Sequence, residues 1–329
     1  MIAHMRISCG FPPSRDIVDH ARRAEALGYD RLWTYDSPAL YGDVWIALAR
    51  VAEATQRIGL GTAVAVPNLR HVLVTASAIA SIEELAPGRL ACAFGTGFTA
   101  RRALGKRPVS WKFLRDYLVQ LRKLLRGETA EAEGARIAML HLEGFAPKRP
   151  IETPLLLGVM GPKGVGIAHE IADGVVSPVP VGGFDWSALL VNGTVLEPGE
   201  DHTCERVREA VGPWFTVSYH GAWEIAPAAL GGMAGGKEWL ARIEAERPDP
   251  RERHLAVHEG HCCGLTDRDR GILDAVGPAL LQWGWTGTAE QVRVKLDAMA
   301  KAGVTEVIYT PVGPAIPREL ESFARAVSL

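Results

Sequence analysis

The feature that most constrains this chain is a regular alternation of short apolar runs with amphipathic segments in its first hundred residues. The apolar runs have the length of buried strands, and the segments between them carry apolar residues at helical spacing. Strands that alternate with helices must lie parallel, because each helix carries the chain back across the sheet. The sequence therefore predicts an α/β fold built on a parallel sheet.

Four strand–helix units are predicted before residue 126. The strands cover 6–11, 31–35, 58–66 and 89–94, and the helices cover 16–27, 44–55, 72–85 and 111–125. Residues 135–142 are expected to form an extra hairpin or a loop. Beyond them, strands are predicted at 154–159, 174–177 and 304–312, and helices at 161–173, 289–302 and 318–327.

Residues 179–253 interrupt this rhythm, since they are rich in Gly, Pro and Trp. We interpret them as an irregular insertion in one domain, 1–329, with the fold of a (β/α)₈ TIM barrel. Eight strands are reached only if residues 214–220 or 254–265 supply one. An open doubly wound sheet is the alternative, but its G-x-G-x-x-G motif is missing after the first strand.

Composition excludes several classes of partner. The chain has 36 Lys and Arg against 38 Asp and Glu, a balance that argues against a nucleic-acid binder. No apolar run is long enough to cross a bilayer, and the first residues show no signal pattern. An odd number of cysteines, five in 329 residues, does not indicate a disulfide framework. We expect a soluble, cytoplasmic protein with reduced thiols and a small-molecule substrate.

In a parallel barrel the functional groups follow the carboxyl ends of the strands. Tyr35 and Asp36 end the second predicted strand, where Asp36 could carry a proton or simply cap a turn. Gly95, Thr96 and Gly97 follow the fourth strand. Two glycines around a threonine allow the backbone to approach a planar ligand, although a tight turn explains them equally well.

Two segments are candidates for binding a phosphate group. Gly161 and Pro162, after Met160, open a helix whose free N–H groups and dipole favour an anion. The second candidate is the loop that begins at Gly284. There Thr288 and Gln291 have the spacing of a capping box, which predicts the start of a helix.

A run of histidines and cysteines at 254–263 raises the question of a metal site. Read as a strand, it places His258 and Cys262 on one face and His261 and Cys263 on the other. A single ion could not collect both sets, so we expect no metal there. His258 or His261 could instead face a substrate, or the run could serve packing.

Several motifs together resemble the luciferase-like family of flavin- and deazaflavin-dependent oxidoreductases, and more narrowly its coenzyme F420-dependent, methylenetetrahydromethanopterin reductase-like branch. The motifs are Leu-Gly-Thr-Ala-Val at 60–64, Pro-Gly-Arg-Leu at 87–90 followed by Gly-Thr-Gly at 95–97, Met-Gly-Pro-Lys at 160–163, and Ile-Ala-Asp-Gly-Val at 171–175. The likeness runs from about residue 5 to 326 and fades over 179–253.

This resemblance implies a barrel that forms a homodimer and binds F420, or alternatively FMN. The cofactor ring would lie against Ala63 and Val64, which relatives often join by a cis peptide bond. The turn 95–97 would flank the ring. Met160 and Gly161, with Pro162, would receive the cofactor phosphate.

Two departures bear on the direction of the reaction. F420-dependent sugar-phosphate oxidisers carry Asp-His where this chain has Asp36 and Ser37, and a glutamate where it has Phe98. The resemblance therefore implies a reductase that donates a hydride to a C=C or C=N acceptor, with the proton from water, Asp36, Tyr35 or His258. An FMN-dependent monooxygenase and a cofactor-free ligand-binding barrel are the alternatives.

Overall fold

A computed structural model describes residues 5–329 of the chain. Residues 1–4, part of the stretch expected to carry no signal pattern, lie outside the described residues. Eight parallel strands close into a barrel in sequence order, and the first strand pairs with the last. The strands are β1 (Arg6–Phe11), β2 (Arg31–Thr34), β3 (Gly59–Ala65), β4 (Leu90–Phe94), β5 (Leu155–Gly158), β6 (Gly174–Ser177), β7 (Ser187–Val191) and β8 (Glu306–Tyr309).

The helices surround this barrel and extend one of its connections. They are α1 (Ile17–Leu27), α2 (Val44–Ala54), α3 (Val72–Leu85), α4 (Phe98–Arg102), α5 (Trp111–Leu125), α6 (Pro162–Ile171), α7 (Glu205–Phe215), α8 (Val217–Ile225), α9 (Gly236–Glu246), α10 (Arg253–Val257), α11 (Asp267–Val276), α12 (Ala289–Lys301) and α13 (Ile316–Val327). A small hairpin, Ala130–Ala132 with Ala135–Ile137, follows α5. No helix within residues 5–329 is long and apolar enough to span a bilayer.

The predicted barrel fold is confirmed, but the missing strand was placed wrongly. It is Ser187–Val191, inside the segment we interpreted as an insertion. Neither candidate for it is a strand, because residues 214–220 lie in α7 and α8, and residues 254–265 form α10 followed by turns. The helices α7 to α11 bury their own apolar side chains instead, around Trp239 and Tyr219.

Small residues line much of the barrel interior, and one large side chain fills it. Trp33 packs there against Ala63, Ala91 and other inward-facing residues. Gly61 is required beside it, because a Cβ at that position would collide with the Trp33 ring. Between the strands and the outer helices lies a second, larger apolar layer.

One buried carboxylate organises the amino-terminal end of the barrel. Glu306, the first residue of β8, is fully buried. Its two oxygens accept hydrogen bonds from the indole N–H groups of Trp33 at 2.7 Å and Trp186 at 2.6 Å. Arg6 lies 3.7 Å from the same carboxylate. These contacts fasten β8 to β2 and to the chain that enters β7.

We expect Glu306→Gln to lower the free energy of unfolding by about 2–3 kcal/mol. The amide keeps one acceptor oxygen, but its NH₂ group faces the second indole N–H, so one charge-assisted hydrogen bond is lost and two donors meet. Urea denaturation followed by tryptophan fluorescence measures this. The matched control is Glu290→Gln, at an exposed position in the first turn of α12. Equal urea midpoints for the two variants would contradict the role of Glu306.

Candidate active site at the barrel mouth

The end of β3 bulges at the residue predicted to support a ligand. Ala63 pairs with Ala93 of β4, but the next pair is Ala65 with Phe94, so Val64 is left out of the ladder. The peptide bond between Ala63 and Val64 is cis, which confirms the expectation from the family resemblance. Val64 is half-buried, and Ala63 lies in the barrel interior.

Two neighbouring strand ends make room for this bulge. A Cβ at Gly95, after β4, would lie 2.6 Å from a methyl of Val64, and a Cβ at Gly158, in β5, would lie 2.8 Å from the other. Glycine is therefore needed at both positions to accept the Val64 side chain. The sequence interpretation of Gly95 as a place for close ligand approach missed this packing.

The turn after β4 is also tightly packed. Gly97 has a φ of 82°, which favours glycine, and a Cβ there would meet Val66 at 2.6 Å. Thr96 is half-buried between the two glycines, and its carbonyl accepts a hydrogen bond from Val109 N–H at 2.9 Å. The turn is therefore fixed by its packing, and the proposed contact of Thr96 with a planar ligand stays a prediction.

Asp36 is held in a buried ion pair. Its Oδ2 accepts from Arg70 Nη1 at 2.7 Å and from the backbone N–H of Val66 at 3.1 Å. Arg70 also donates to Asp43, which caps α2. Burial raises the pKa of Asp36, and Arg70 opposes that rise. This geometry favours a role in fixing the end of β3, so Asp36 acts on the site through Val66.

Tyr35 lies at the mouth beside Asp36. Its hydroxyl donates to the carbonyl of Gly10 at 3.1 Å, and burial raises its pKa well above the ordinary value. The phenol therefore keeps its proton at neutral pH. The neighbouring Tyr41 donates to the carbonyl of His261 at 2.7 Å, so the loop after β2 contacts the turn that follows α10.

The histidine run does not form the strand on which our metal argument depended. Residues 258–263 turn back on themselves, and Cys262 has a φ of 57°. His258 and His261 therefore lie together, with ring centroids 5.4 Å apart, and His220 of α8 joins them. His220 was missed because nothing in the local sequence links α8 to this turn.

All three rings are almost fully buried. His220 and His258 are 1% exposed and His261 is 3% exposed, so His258, our catalytic candidate, is closed off from the solvent. Its Nε2 contacts Glu224 at 3.0 Å. Burial lowers the pKa of His261 to about 3 and places that of His220 well below its ordinary value.

The two candidate phosphate sites differ in whether they are open. Gly161 begins α6 in an extended conformation without a side-chain cap, and a Cβ there would meet no atom within 4 Å. The adjacent Met160 is 75% exposed. By contrast, Asn192 fills the space beside Gly284. The Gly284 carbonyl accepts a hydrogen bond from the Lys295 ammonium group. The helix start at Gly161 is therefore the accessible one.

The predicted capping box is confirmed at the start of α12. The Thr288 hydroxyl accepts from Gln291 N–H at 3.3 Å, and the Gln291 side chain accepts from Thr288 N–H at 2.8 Å. The capping role of these residues is thus established, and the loop before them packs against the end of β7.

The closed parallel barrel is a scaffold that many enzymes share, with its open groups at the carboxyl ends of the strands. Within it, residues 4–188 match the luciferase-like monooxygenase family. The chain belongs to this family. It is 32% identical to 5,10-methylenetetrahydromethanopterin reductase of Methanolobus tindarius, over 92% of both chains.

Two further comparisons agree with this assignment. The chain is 32% identical to the F420-dependent glucose-6-phosphate dehydrogenase of Intrasporangium calvum. That match covers 33% of this chain and 35% of the dehydrogenase. The structure of the coenzyme F420-dependent tetrahydromethanopterin reductase from Methanopyrus kandleri superimposes with a TM-score of 0.68 at 19% identity, over 99% of each chain. At that identity the structural likeness concerns the fold.

We expect Arg70→Met to lower the free energy of unfolding by about 3 kcal/mol at neutral pH, because it leaves the buried Asp36 without its counter-charge. The pKa of Asp36 in the folded state would then rise further, so the folded state would bind a proton that the unfolded state has lost. Stability should fall as pH rises above about 4, the ordinary aspartate value.

Urea unfolding between about pH 4 and pH 7 measures this slope. The matched control is Arg126→Met, which removes an exposed arginine. If the loss of unfolding free energy in Arg70→Met, relative to wild type, is the same at every pH, then the pKa of Asp36 does not depend on Arg70.

Proposed function

We propose that this chain is an F420-dependent reductase that transfers a hydride from the reduced deazaflavin to a C=C or C=N bond of a small organic acceptor. Its relatives include a methylenetetrahydromethanopterin reductase and an F420-dependent dehydrogenase. The choice of F420 rests on these relatives, and the observation that supports a phosphate-bearing cofactor at this site is the open, uncapped start of α6 at Gly161. This is where an anionic group could meet free backbone N–H donors.

The residues at the mouth fit such a cofactor. Gly161 and Pro162 begin a helix of ten residues, whose dipole favours a phosphate at this end. The bulge at Val64 would support one face of the ring, and Thr96 would flank it. When bound, the reduced deazaflavin supplies the hydride, so the chain must orient the acceptor and deliver a proton.

Among the three proton-donor candidates, the contacts favour Tyr35. Its phenol is neutral and lies at the mouth, where it donates to the Gly10 carbonyl, whereas Asp36 is engaged by Arg70 and His258 is buried against Glu224. The raised pKa of Tyr35 makes the phenol a weak acid, so it would pass on a proton supplied by water. Addition of a hydride to C=N or C=C leaves a negative charge on the second atom, which a phenol or water can protonate. Asp36 and His258 are then positioning residues.

The oxidation of an alcohol would need a base at the same place. Ser37 and Phe98 occupy the positions where the sugar-phosphate oxidisers place such groups, and neither accepts a proton readily at neutral pH. This supports the direction toward reduction. The same proposal includes a small-molecule substrate, a homodimer and a cytoplasmic location.

We expect Gly161→Asp to weaken F420 binding by at least about tenfold, because the new carboxylate repels the phosphate at the helix start. Isothermal titration with oxidised F420 measures the affinity. Gly166→Asp is the matched control, since it adds the same charge to an exposed position of α6 with open space around it. Unchanged affinity in a folded Gly161→Asp protein would move the phosphate site elsewhere.

The cofactor and the reaction are tested with the unmodified chain. We expect oxidised F420 to bind and FMN to bind at least about tenfold more weakly, and reduced F420 to be reoxidised when an imine or an activated alkene is added. Its visible absorbance follows both. Preferential FMN binding with oxygen consumption would establish the monooxygenase alternative, and binding of neither cofactor would establish the cofactor-free one.

A further inference from the structure

Three buried imidazoles meet between the helical segment and the barrel, and the proposed reaction does not use them as a group. His220, His258 and His261 each bring a ring nitrogen to within 4.8 Å of the others. Among the residues that the structure describes, they are the one cluster of three or more potential metal ligands. They come from α8 and from the turn after α10, so only the tertiary fold assembles them.

The hydrogen bonds around the cluster leave its inner nitrogens incompletely paired. The carboxylate of Glu224 can only accept, so the 3.0 Å contact places the proton of His258 on Nε2. Its Nδ1 then carries a lone pair, and this buried atom has no hydrogen-bond partner among residues 5–329. A buried acceptor without a donor is unfavourable, and a cation would satisfy it.

The rings of His220 and His261 point their Nδ1 atoms toward each other. Nδ1 of His220 and Nδ1 of His261 are 2.8 Å apart, while Nε2 of His261 contacts the Thr99 hydroxyl at 3.2 Å. A proton between the two Nδ1 atoms accounts for this pair. A metal ion could take the place of that proton, which would move to the outer nitrogen, Nε2, of the ring that carried it. The ion could at the same time bind the lone pair of His258.

The outer contacts match those that usually support a metal-bound histidine. A carboxylate or hydroxyl on the far nitrogen fixes the ring and its tautomer. Here Glu224 holds His258, and Glu224 is itself held by Arg102 at 2.7 Å. Thr99 supports His261 in the same way. Each of these two rings is therefore oriented from the barrel side or by a residue anchored to it.

We propose that His220, His258 and His261 bind one divalent transition-metal ion, with zinc as the best fit. Zinc accepts three histidines and a fourth, exchangeable ligand at Zn–N distances of about 2.0–2.1 Å. Tetrahedral geometry then separates ligand nitrogens by roughly 3.3 Å, so the two Nδ1 atoms need to part by roughly half an ångström. The ion would tie α8 and the turn after α10 to Thr99, near the cofactor-facing end of β4.

The first test is the metal content of the whole chain. We replace the exposed thiol by Cys263→Ser in every protein, strip metals with a chelator, and titrate with Zn²⁺ by calorimetry. We expect one zinc ion per chain and a melting temperature that rises with zinc concentration. A parent protein that binds no zinc overturns the proposal and leaves the three rings as a hydrogen-bonded cluster.

Variants then locate the ion. His261→Ala and His220→Ala should weaken zinc binding more than about 100-fold, and Glu224→Gln about 10- to 100-fold through His258. His254→Ala, in the short helix α10 just before the turn that holds His258 and His261, lies outside the cluster. It is the matched control and should bind like the parent. Equal zinc affinity in the cluster variants and the control overturns the assignment.

Cobalt substitution tests the ligand set without any variant of the cluster. Co²⁺ in the parent protein should give the visible bands of a four-coordinate site without the near-ultraviolet band of a cobalt–thiolate bond. A strong thiolate band would mean that Cys262 or another cysteine replaces a histidine, and it would overturn the three-histidine site. This measurement remains decisive if the alanine variants fail to fold.

Discussion

The structure depends on the closure of one parallel hydrogen-bond ladder, in which Arg6 to Cys9 of β1 pair with Glu306 to Tyr309 of β8. A barrel has no unpaired edge only when every strand is present. The strand β7 must therefore lie between β6 and β8, however short it is. The long helical segment lies in the connection from β7 to β8 and leaves the barrel at the carboxyl end of β7, which places it at the mouth.

At that mouth the shape of one strand end sets the positions of its neighbours. Val64 leaves the β3 ladder, and its methyl groups occupy the space that side chains at Gly95 and Gly158 would need. Asp36 of the second connection accepts from the backbone of Val66 and holds the strand just beyond the bulge. Four consecutive strand ends are thus coupled through packing and one buried carboxylate.

The sequence predicted most of the barrel, because periodicity is a local signal and each outer helix buries a single apolar face. It missed β7, since Ser187–Val191 is a short apolar run without a helix before it and with Gly, Pro and Trp nearby. It found Asp36 and His258 as candidates but not the side chains that contact them. Those partners are Arg70 and Glu224, which are distant in sequence.

Apolar packing stabilises the helical segment from α7 to α11, whereas polar contacts attach it to the barrel. Its apolar core is its own, built around Trp239 and Tyr219. Polar contacts join the turn after α10 to the barrel, with the His261 carbonyl bound by Tyr41 and the His261 ring by Thr99. Because these contacts are directional and carry little apolar burial, they fix position more than stability. The position of the helical segment over the mouth therefore depends on a few directional contacts, whereas the strand ends beneath it are held by the closed ladder.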